Sequence, residues 1–351
     1  MPESTMKSMH AVRLTGPRRL EVVETEPPGA DGESVIIEVS ACGICGSDLH
    51  YWDTGLDMSG APGLIPGHEF CGRVVDPGSR ADLGPDDRVT ALPLDPCGTC
   101  ETCRTGRPNL CVKGMKRSIP GNNSPGAYAQ YLKIRPDMVR KLPDGISDAE
   151  AAMIEPSSVA FHAVRRAGVT AGDRVLVTGG GTIGLLCASW ARISGASYLA
   201  LTETNAHRRE FALHAGGLDS VFDAADPRLG SALKKASHGG FDVAIETSGS
   251  SAGINAAALA LRPRGRLLLA GISFQPQAVM TVLLVVKEIE QLSALGYLPQ
   301  EFDLAMQYIA DKRLPVEKII TRTISLHEVQ DAFERLSSGT SSEVKVLIRI
   351  A

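Results

Sequence analysis

A glycine-rich turn between a strand pattern and a helix pattern limits the folds open to this chain more than any other feature. Residues 174–178 are a short apolar run typical of a buried strand, and residues 182–195 are an apolar helical pattern that ends in glycine. The turn between them has the spacing G-x-G-x-x-G and consists of Gly179, Gly180, Gly181, Thr182, Ile183 and Gly184.

Such a turn can bring backbone amides and the positive end of a helix to a pyrophosphate group. The motif requires a strand before the glycines and a helix after them, and this chain provides both, so we predict a dinucleotide site here. The alternative is a glycine turn that only lets the helix pack closely on the strand.

The same alternation continues along the chain. Strand-like runs at residues 198–202, 241–247 and 265–271 are separated by alanine-rich helical stretches. This order predicts an α/β region built on a doubly wound parallel sheet.

Residues 10–156 have a different pattern, with short strands broken by glycine and proline, so we predict a mostly β region there. The tail contains helical patterns near residues 301–311 and 326–336, and a last strand at residues 343–350. A chain of 351 residues favours two domains.

Charge and hydropathy exclude two classes of partner. The formal net charge is −4, with no sustained run of lysine and arginine, which argues against a nucleic-acid surface or an electrostatic membrane anchor. The most conspicuous apolar run, residues 278–286, is far shorter than the roughly 20 residues that span a bilayer. We therefore expect a cytoplasmic protein whose partners are small molecules.

Four cysteines are spaced C-x2-C-x2-C-x7-C in a loop rich in glycine, proline and threonine. Four thiolates on short loops form the closed tetrahedral ligand set of a structural zinc ion, which would stabilise the loop and leave no position for substrate. Disulfide bonds or a chance cluster are the alternatives, and an expected cytosolic location disfavours disulfides. The four residues are Cys97, Cys100, Cys103 and Cys111.

A second group of candidate ligands lies in CGICGSDLHYW at residues 42–52, in GHE at residues 67–69 and in EP at residues 155–156. A catalytic zinc takes about three protein ligands and keeps one position open, so one thiolate, one imidazole and one carboxylate would suit it. The two cysteines of the first segment could instead share one ligand set or lie in the core, and the histidine could be an ordinary buried residue. The residues alone leave these cases open.

Together, CGICGSDLHYW, GHE, the four-cysteine loop and the glycine turn resemble those of the zinc-containing medium-chain dehydrogenases over nearly the whole chain. The branches that they resemble are the sorbitol, butanediol and threonine dehydrogenases. The resemblance implies a GroES-like, mostly β catalytic domain at residues 1–157, completed by residues 297–351. It also implies a Rossmann dinucleotide-binding domain at residues 158–296.

The resemblance assigns the catalytic zinc to Cys45, His68 and a carboxylate, which makes Cys42 a bystander. Branches of the family differ in whether the carboxylate corresponds to Glu69 or to Glu155, and both are assigned to the site.

In the same comparison, Ser47 is the hydroxyl and His50 the outlet of a proton relay, and Asp48 orients the ligand histidine. Tyr51 corresponds to a tyrosine that meets the substrate in sorbitol-type enzymes. Ser47 and His50 could instead be a helix cap or solvated side chains.

Glu203 lies nineteen residues after Gly184, where an acid accepts hydrogen bonds from the adenosine ribose and repels a 2′-phosphate. This position favours NAD over NADP, although Arg208 and Arg209 lie close by and an arginine can pair with a phosphate. By resemblance, Arg208 covers the adenine.

Also by resemblance, Gly271, Ile272 and Tyr297 hold the nicotinamide through backbone groups; an ordinary turn glycine is the alternative for Gly271. Sorbitol-type enzymes have an Arg-Tyr pair where this chain has Gly296 and Tyr297. The missing arginine removes donors that a chain of hydroxyls would use, which favours a less polar alcohol.

These features predict a zinc-dependent oxidoreductase that moves a hydride between a secondary alcohol or diol, or its ketone, and NAD(H). Two Zn²⁺ ions per chain are expected, one catalytic and one structural. An NADPH-dependent carbonyl reductase and a polyol dehydrogenase of the sorbitol type are the alternatives, while the acidic charge disfavours a zinc-finger-like nucleic-acid binder. Because the family usually forms homodimers or homotetramers, we expect a homo-oligomer.

Overall fold

The structure is a computed structural model that describes residues 8–215 and 217–350. Residues 1–7 of the expected catalytic domain lie outside the described residues. The strands are β1 (Met9–Gly16), β2 (Arg19–Thr25), β3 (Val35–Gly43), β4 (Glu69–Asp76), β5 (Arg88–Ala91), β6 (Tyr131–Ile134), β7 (Val139–Lys141), β8 (Arg174–Thr178), β9 (Tyr198–Glu203), β10 (Ser220–Asp223), β11 (Phe241–Glu246), β12 (Leu261–Leu269), β13 (Glu290–Ser293), β14 (Ile320–Ser325) and β15 (Lys345–Arg349). The α-helices are α1 (Gly46–Thr54), α2 (Glu101–Arg104), α3 (Asp148–Ala151), α4 (Ile154–Arg166), α5 (Thr182–Ile193), α6 (Ala206–Ala215), α7 (Leu229–Ala236), α8 (Ser251–Ala260), α9 (Thr281–Val286), α10 (Pro299–Ala310) and α11 (Val329–Ser337).

The N-terminal region is mostly β, as its glycine- and proline-broken pattern predicts. Its main sheet has the order β14-β15-β3-β4-β5-β7, and β6 also pairs with β3. β15 runs antiparallel to β3, with Leu347 opposite Gly43. The C-terminal strands therefore lie in the same sheet as the strands that precede the glycine turn.

The second region is the predicted doubly wound sheet. Its six strands are all parallel in the order β10-β9-β8-β11-β12-β13. The order reverses between β8 and β11, and ligands of such sheets bind beyond the carboxyl ends of the strands at that point. The glycine turn follows β8, so it lies at this crevice, and the predicted α/β class is confirmed.

Most elements begin and end within two residues of their predicted limits, but β12 begins at Leu261, well before residue 265. The predicted strand begins at Gly265, two residues after Pro263. In the structure, Arg264 has a left-handed φ of 59°, and the register with β11 shifts between Phe241 and Val243. This irregularity lets the strand pass through residues that usually end one.

No helix among the described residues combines the length and the apolar character needed to cross a bilayer.

Close contact between α5 and the turn after β8 explains one glycine of the motif. A Cβ atom at Gly184 would lie 1.9 Å from the carbonyl oxygen of Gly179, which itself has a φ of 104°. A Cβ at Gly181 would meet no atom within 4 Å. Packing therefore requires glycine at residue 184, whereas the space around the Cα of Gly181 is open.

We predict that Gly184→Ala destabilises the cofactor-free protein by about 1–3 kcal/mol, because the added methyl group overlaps backbone atoms that cannot move aside. Gly181→Ala is the matched control, since Gly181 has a φ of −80° and open space around its Cα. Urea unfolding of both variants measures the difference. Equal stability of the two variants would contradict the packing argument.

Candidate active site and metal centres

The four-cysteine loop forms a compact cluster. The Sγ atoms of Cys97, Cys100, Cys103 and Cys111 all lie within 4.8 Å of one another, and the cysteines are free of disulfide bonds. Cys100 Sγ is 3.4 Å from Cys103 Sγ and 3.9 Å from Cys111 Sγ. Zn–S bonds of about 2.3 Å in a tetrahedron place sulfur atoms about 3.8 Å apart, so the cluster fits a zinc ion.

Local groups favour the thiolate form of two of these cysteines, Cys97 and Cys100, by lowering the pKa of each thiol. The hydroxyl of Thr102 lies 3.1 Å from Cys100 Sγ, and this contact, with a backbone hydrogen bond from Cys103, lowers the pKa of the Cys100 thiol to about 5. The amide of Cys100 in turn donates to Cys97 Sγ at 3.3 Å. Because the metal ligand is the thiolate, these contacts favour binding of a cation.

Two elements of the β region, α1 and β4, bring a second cluster together. Cys45 is the residue before α1, His68 precedes β4, and Glu69 is the first residue of β4. Ligand atoms of these three residues lie within 4.8 Å of one another, and the two later residues are buried. Cys42 lies outside the cluster, with its thiol directed at the carbonyl oxygen of Gly43.

His68 is surrounded by anionic groups. Burial alone lowers the pKa of His68, but the charges of Cys45, Asp48 and Glu155 outweigh burial and hold that pKa well above its usual value. Asp48 Oδ1 lies 3.6 Å from His68 Nδ1, and neither atom has a hydrogen-bond partner in the described part of the chain. A buried site with excess negative charge and an unsatisfied imidazole fits a divalent cation.

Glu155 lies near the cluster but outside the group of three. It is the second residue of α4, and burial, with the charge of Glu69, raises the pKa of its carboxyl to about 7 against the pull of His68. The phenol of Tyr297, which is 1% exposed, reaches this carboxyl and lowers its pKa, although the contact lacks regular hydrogen-bond geometry. We expected only the backbone of Tyr297 at the cofactor; its side chain lies at the metal cluster.

The predicted relay residues occupy the first turn of α1. Ser47 and His50 are three residues apart and therefore share one face of the helix. The Ser47 hydroxyl is buried without a partner, while the ring of His50 lies 5.0 Å from that of Phe274. Next to them, the Tyr51 phenol donates to Asn122 Oδ1 at 2.8 Å, a contact that the sequence did not suggest.

At the glycine turn, Glu203 is oriented by backbone amides. Its carboxylate accepts from the amide of Gly180 at 2.7 Å and from the amide of Asn205 at 2.8 Å. Arg209 bonds to backbone carbonyls and pairs with Asp223, whereas the Nε of Arg208 is shielded from solvent and has no partner. Of the two arginines, Arg208 is the one left free to meet a ligand.

The other predicted cofactor residues lie around the same crevice. The Thr182 hydroxyl donates to the carbonyl of Val344 at 2.9 Å, so this side chain joins the turn to the C-terminal tail. Ile183 packs against the core, the Gly271 amide donates to the carbonyl of Glu246, and Ile272 is 58% exposed.

Known families match both regions of the chain. Residues 31–144 match the alcohol dehydrogenase GroES-like domain, and residues 182–311 match the zinc-binding dehydrogenase family. Sorbitol dehydrogenase of Bacillus subtilis is 30% identical over 99% of this chain and 99% of its own. The chain belongs to the zinc-containing medium-chain alcohol dehydrogenases.

This dehydrogenase is therefore an oxidoreductase that acts on alcohols, as predicted. Its fold matches the solved 2R,3R-butanediol dehydrogenase of Bacillus subtilis with a TM-score of 0.86 and 27% identity, over 97% of this chain and 99% of that one. A zinc-binding dehydrogenase of Sinorhizobium meliloti, solved with NADP bound, matches with a TM-score of 0.87 and 28% identity, over 97% and 99% of the two chains.

One residue of the dehydrogenase that sequence analysis missed lies directly beside the metal cluster. Lys345, in β15, is almost fully buried and forms an ion pair with Glu69; its Nζ also donates to the carbonyl of Ile44 at 3.0 Å. A Cβ at Gly43 would overlap both partners, so glycine is required there. A lysine in the apolar strand pattern of residues 344–348 was the available signal, but nothing in the sequence names its partner.

We predict that Lys345→Met lowers the free energy of unfolding by about 3–5 kcal/mol, because it leaves the Glu69 carboxylate buried without its cation. The double variant with Glu69→Gln should recover most of that loss, since no uncompensated charge remains. Circular dichroism during urea unfolding measures both. A single variant as stable as the parent dehydrogenase would refute the assigned ion pair.

Proposed function

We propose that the dehydrogenase oxidises a secondary hydroxyl of a small diol or polyol with NAD, and reduces the corresponding ketone in the reverse direction. The observation that carries the proposal is the cluster of half-buried Cys45 with buried His68 and Glu69, just before the first turn of α1. The sorbitol and butanediol dehydrogenases among its relatives support this substrate class. Gly296 has no side chain and therefore offers the substrate no hydrogen-bond donor, which favours a short diol over a long sugar alcohol.

In this proposal the catalytic zinc is held by Cys45, His68 and a carboxylate, and the structural zinc by the four-cysteine loop. Glu69 lies within the cluster and pairs with Lys345, whereas Glu155 lies just outside it and forms no salt bridge with any described residue. When bound, zinc supplies a Lewis acid that lowers the pKa of an alcohol oxygen, and the nicotinamide supplies the hydride acceptor.

The chain's own residues remove the proton. The Ser47 hydroxyl is buried and has no partner among the described residues, so it is free to accept a hydrogen bond from the alcohol and to release its own proton as the alcohol proton arrives. His50 lies on the same face of α1 and is exposed, so it can pass the proton to solvent. Asp48 accepts from the amide of Cys45 at 3.0 Å and from the phenol of Tyr128 at 2.9 Å, and so keeps its carboxylate behind His68.

We assign NAD as the cofactor because Glu203 is the last residue of β9 and its carboxylate lies beside the glycine turn. NADPH-dependent carbonyl reduction is the second candidate, and the unpartnered Arg208 favours it. One experiment tests both candidates: the rates with NAD and NADP are compared on secondary alcohols, diols, polyols and their ketones, with metal content measured per chain. A protein that holds no zinc and turns over none of these substrates would overturn the proposal.

The proposed assembly is a homo-oligomer, and the edge of the parallel sheet supports it. β13 pairs only with β12 among the described strands, and the neighbouring α9 exposes Val282, Val285 and Val286. An unpaired edge beside exposed apolar side chains is a surface that a second copy can cover. Light scattering of the purified protein tests this, and a monomer mass would refute it.

Four free thiols for zinc also favour a reducing, cytoplasmic location.

We predict that Cys45→Ser abolishes turnover and lowers the zinc content by about one ion per chain, because the thiolate ligand is lost. Cys42→Ala is the matched control: this neighbouring thiol is buried outside the cluster, so the variant should keep its zinc and most of its activity. Metal analysis of Glu69→Gln and Glu155→Gln identifies the third ligand. Full activity of a metal-verified Cys45→Ser sample would rule out the assigned centre.

We predict that Glu203→Gln shifts the ratio of kcat/KM for NADP over NAD upwards by about ten-fold or more, because a 2′-phosphate then no longer faces a carboxylate. Glutamine keeps an acceptor for the amide of Gly180, so the turn is preserved. Steady-state rates at varied cofactor concentration measure the ratio. An unchanged ratio would remove the ribose role from Glu203.

A further inference from the structure

The four-cysteine loop takes no part in the proposed reaction, yet one of its side chains contacts the segment that carries Tyr297. Asn109 lies between Cys103 and Cys111, and its Nδ2 donates to the carbonyl oxygen of Leu295 at 2.8 Å. Two residues further along, Tyr297 places its phenol beside Glu155. The hydrogen bond therefore joins the loop to the segment that carries a residue of the candidate active site.

The position of Asn109 depends on the cysteine cluster. It lies in a single 3-10 turn, Pro108–Leu110, which is followed directly by Cys111. Thr102, beside Cys100 Sγ, donates through its hydroxyl to the carbonyl of Leu110 at 3.0 Å. Because so short a turn has no core of its own, the sulfur cluster and its metal are what hold Asn109 in place.

On the other side, the segment of residues 293–301 is held onto α4. Arg166 donates to the carbonyl of Ser293 at 3.4 Å. Glu301 accepts from the amide of Leu298 at 2.8 Å, and the same carboxylate contacts His162 at 2.8 Å. Both ends of the segment are thus fixed to the helix that begins beside Glu155.

Between these two attachments, Leu295 and Gly296 have little to hold them. Leu295 is 54% exposed, and Gly296 has a left-handed φ of 57° with no side chain to pack. In the described part of the chain, the Asn109 contact is the one hydrogen bond from the cysteine loop to this segment. It therefore fixes the stretch of backbone immediately before Tyr297.

We propose that Asn109 is a positioning residue through which the metal-loaded cysteine loop sets the place of Tyr297 beside Glu155. The inference rests on the proposed function for its kinetic consequence, since Tyr297 and Glu155 then border the alcohol. Loss of metal from the loop loosens the 3-10 turn, releases Leu295 and widens the range of positions open to the Tyr297 phenol. The structural metal thereby affects substrate binding and not stability alone.

The test uses the full-length, zinc-loaded protein and the variants Asn109→Ala and Asn109→Asp, which remove the donor. Leu110→Ala is the matched control, because it trims the adjacent exposed side chain of the same turn and leaves the amide of Asn109 intact. Cys100→Ser removes a ligand of the loop metal. Metal content and melting temperature are recorded for every variant.

The first readout is hydrogen exchange of peptides that cover residues 293–301, measured without alcohol or cofactor. We expect exchange to rise by about three- to ten-fold in both Asn109 variants, the factor that corresponds to loss of one hydrogen bond. Leu110→Ala should match the parent protein. Exchange that stays at the parent level in both Asn109 variants overturns the proposal, whatever the catalytic activity of the protein proves to be.

The second readout compares the change in KM for the alcohol with the change in kcat. Asn109→Ala should raise the KM for the alcohol by about three- to ten-fold with a smaller change in kcat, at unchanged zinc content. Cys100→Ser should raise KM similarly, and the double variant should raise it no further than either change alone. If Cys100→Ser does not fold, the Asn109 variants alone decide. A KM equal to that of the parent protein, or additive effects in the double variant, contradicts the proposed coupling; absence of turnover in the parent protein itself contradicts only the proposed function.

Discussion

The buried ion pair between Lys345 and Glu69 is the interaction on which the active-site half of this dehydrogenase depends. It joins the last strand of the chain to the first residue of β4, and the same ammonium group bonds the carbonyl of Ile44, immediately before Cys45. Three segments that are remote in sequence are thereby held around one point. A buried charge pair is favourable only when both partners are present and hydrogen-bonded, so the C-terminal strand must dock before this site is complete.

Charge also explains why the two metal clusters differ in their chemistry. The four-cysteine loop uses four similar soft ligands near the surface, which can surround an ion fully. The second cluster mixes a thiol, an imidazole and carboxylates in a buried place, where each unpaired charge is costly. Burial raises the pKa of the Glu155 carboxyl to about 7, although the phenol of Tyr297 beside it acts in the opposite direction. A cation bound nearby would strongly lower the pKa of such a buried carboxyl.

Two side-chain hydrogen bonds attach the glycine turn and the four-cysteine loop to distant segments of the chain. The hydroxyl of Thr182, at the start of α5, bonds the carbonyl of Val344, and the next residue is Lys345 of the buried ion pair. Asn109 makes a comparable contact from the cysteine loop to Leu295. Both contacts join a predicted ligand-binding loop to backbone within two residues of Lys345 or Tyr297.

The sequence by itself determined the features whose parts are close along the chain. The glycine turn between β8 and α5, the four cysteines within fifteen residues and the alternation of the parallel sheet depend on local spacing, and spacing can be read directly. Motif resemblance added Cys45, His68 and Glu69, which the structure brings together. Only the tertiary structure decided that Lys345 pairs with Glu69, that the Tyr297 side chain meets Glu155, and that Asn109 reaches Leu295. Each of these contacts joins residues more than one hundred positions apart, and no periodicity within a strand or loop specifies which distant side chain the fold will bring beside it.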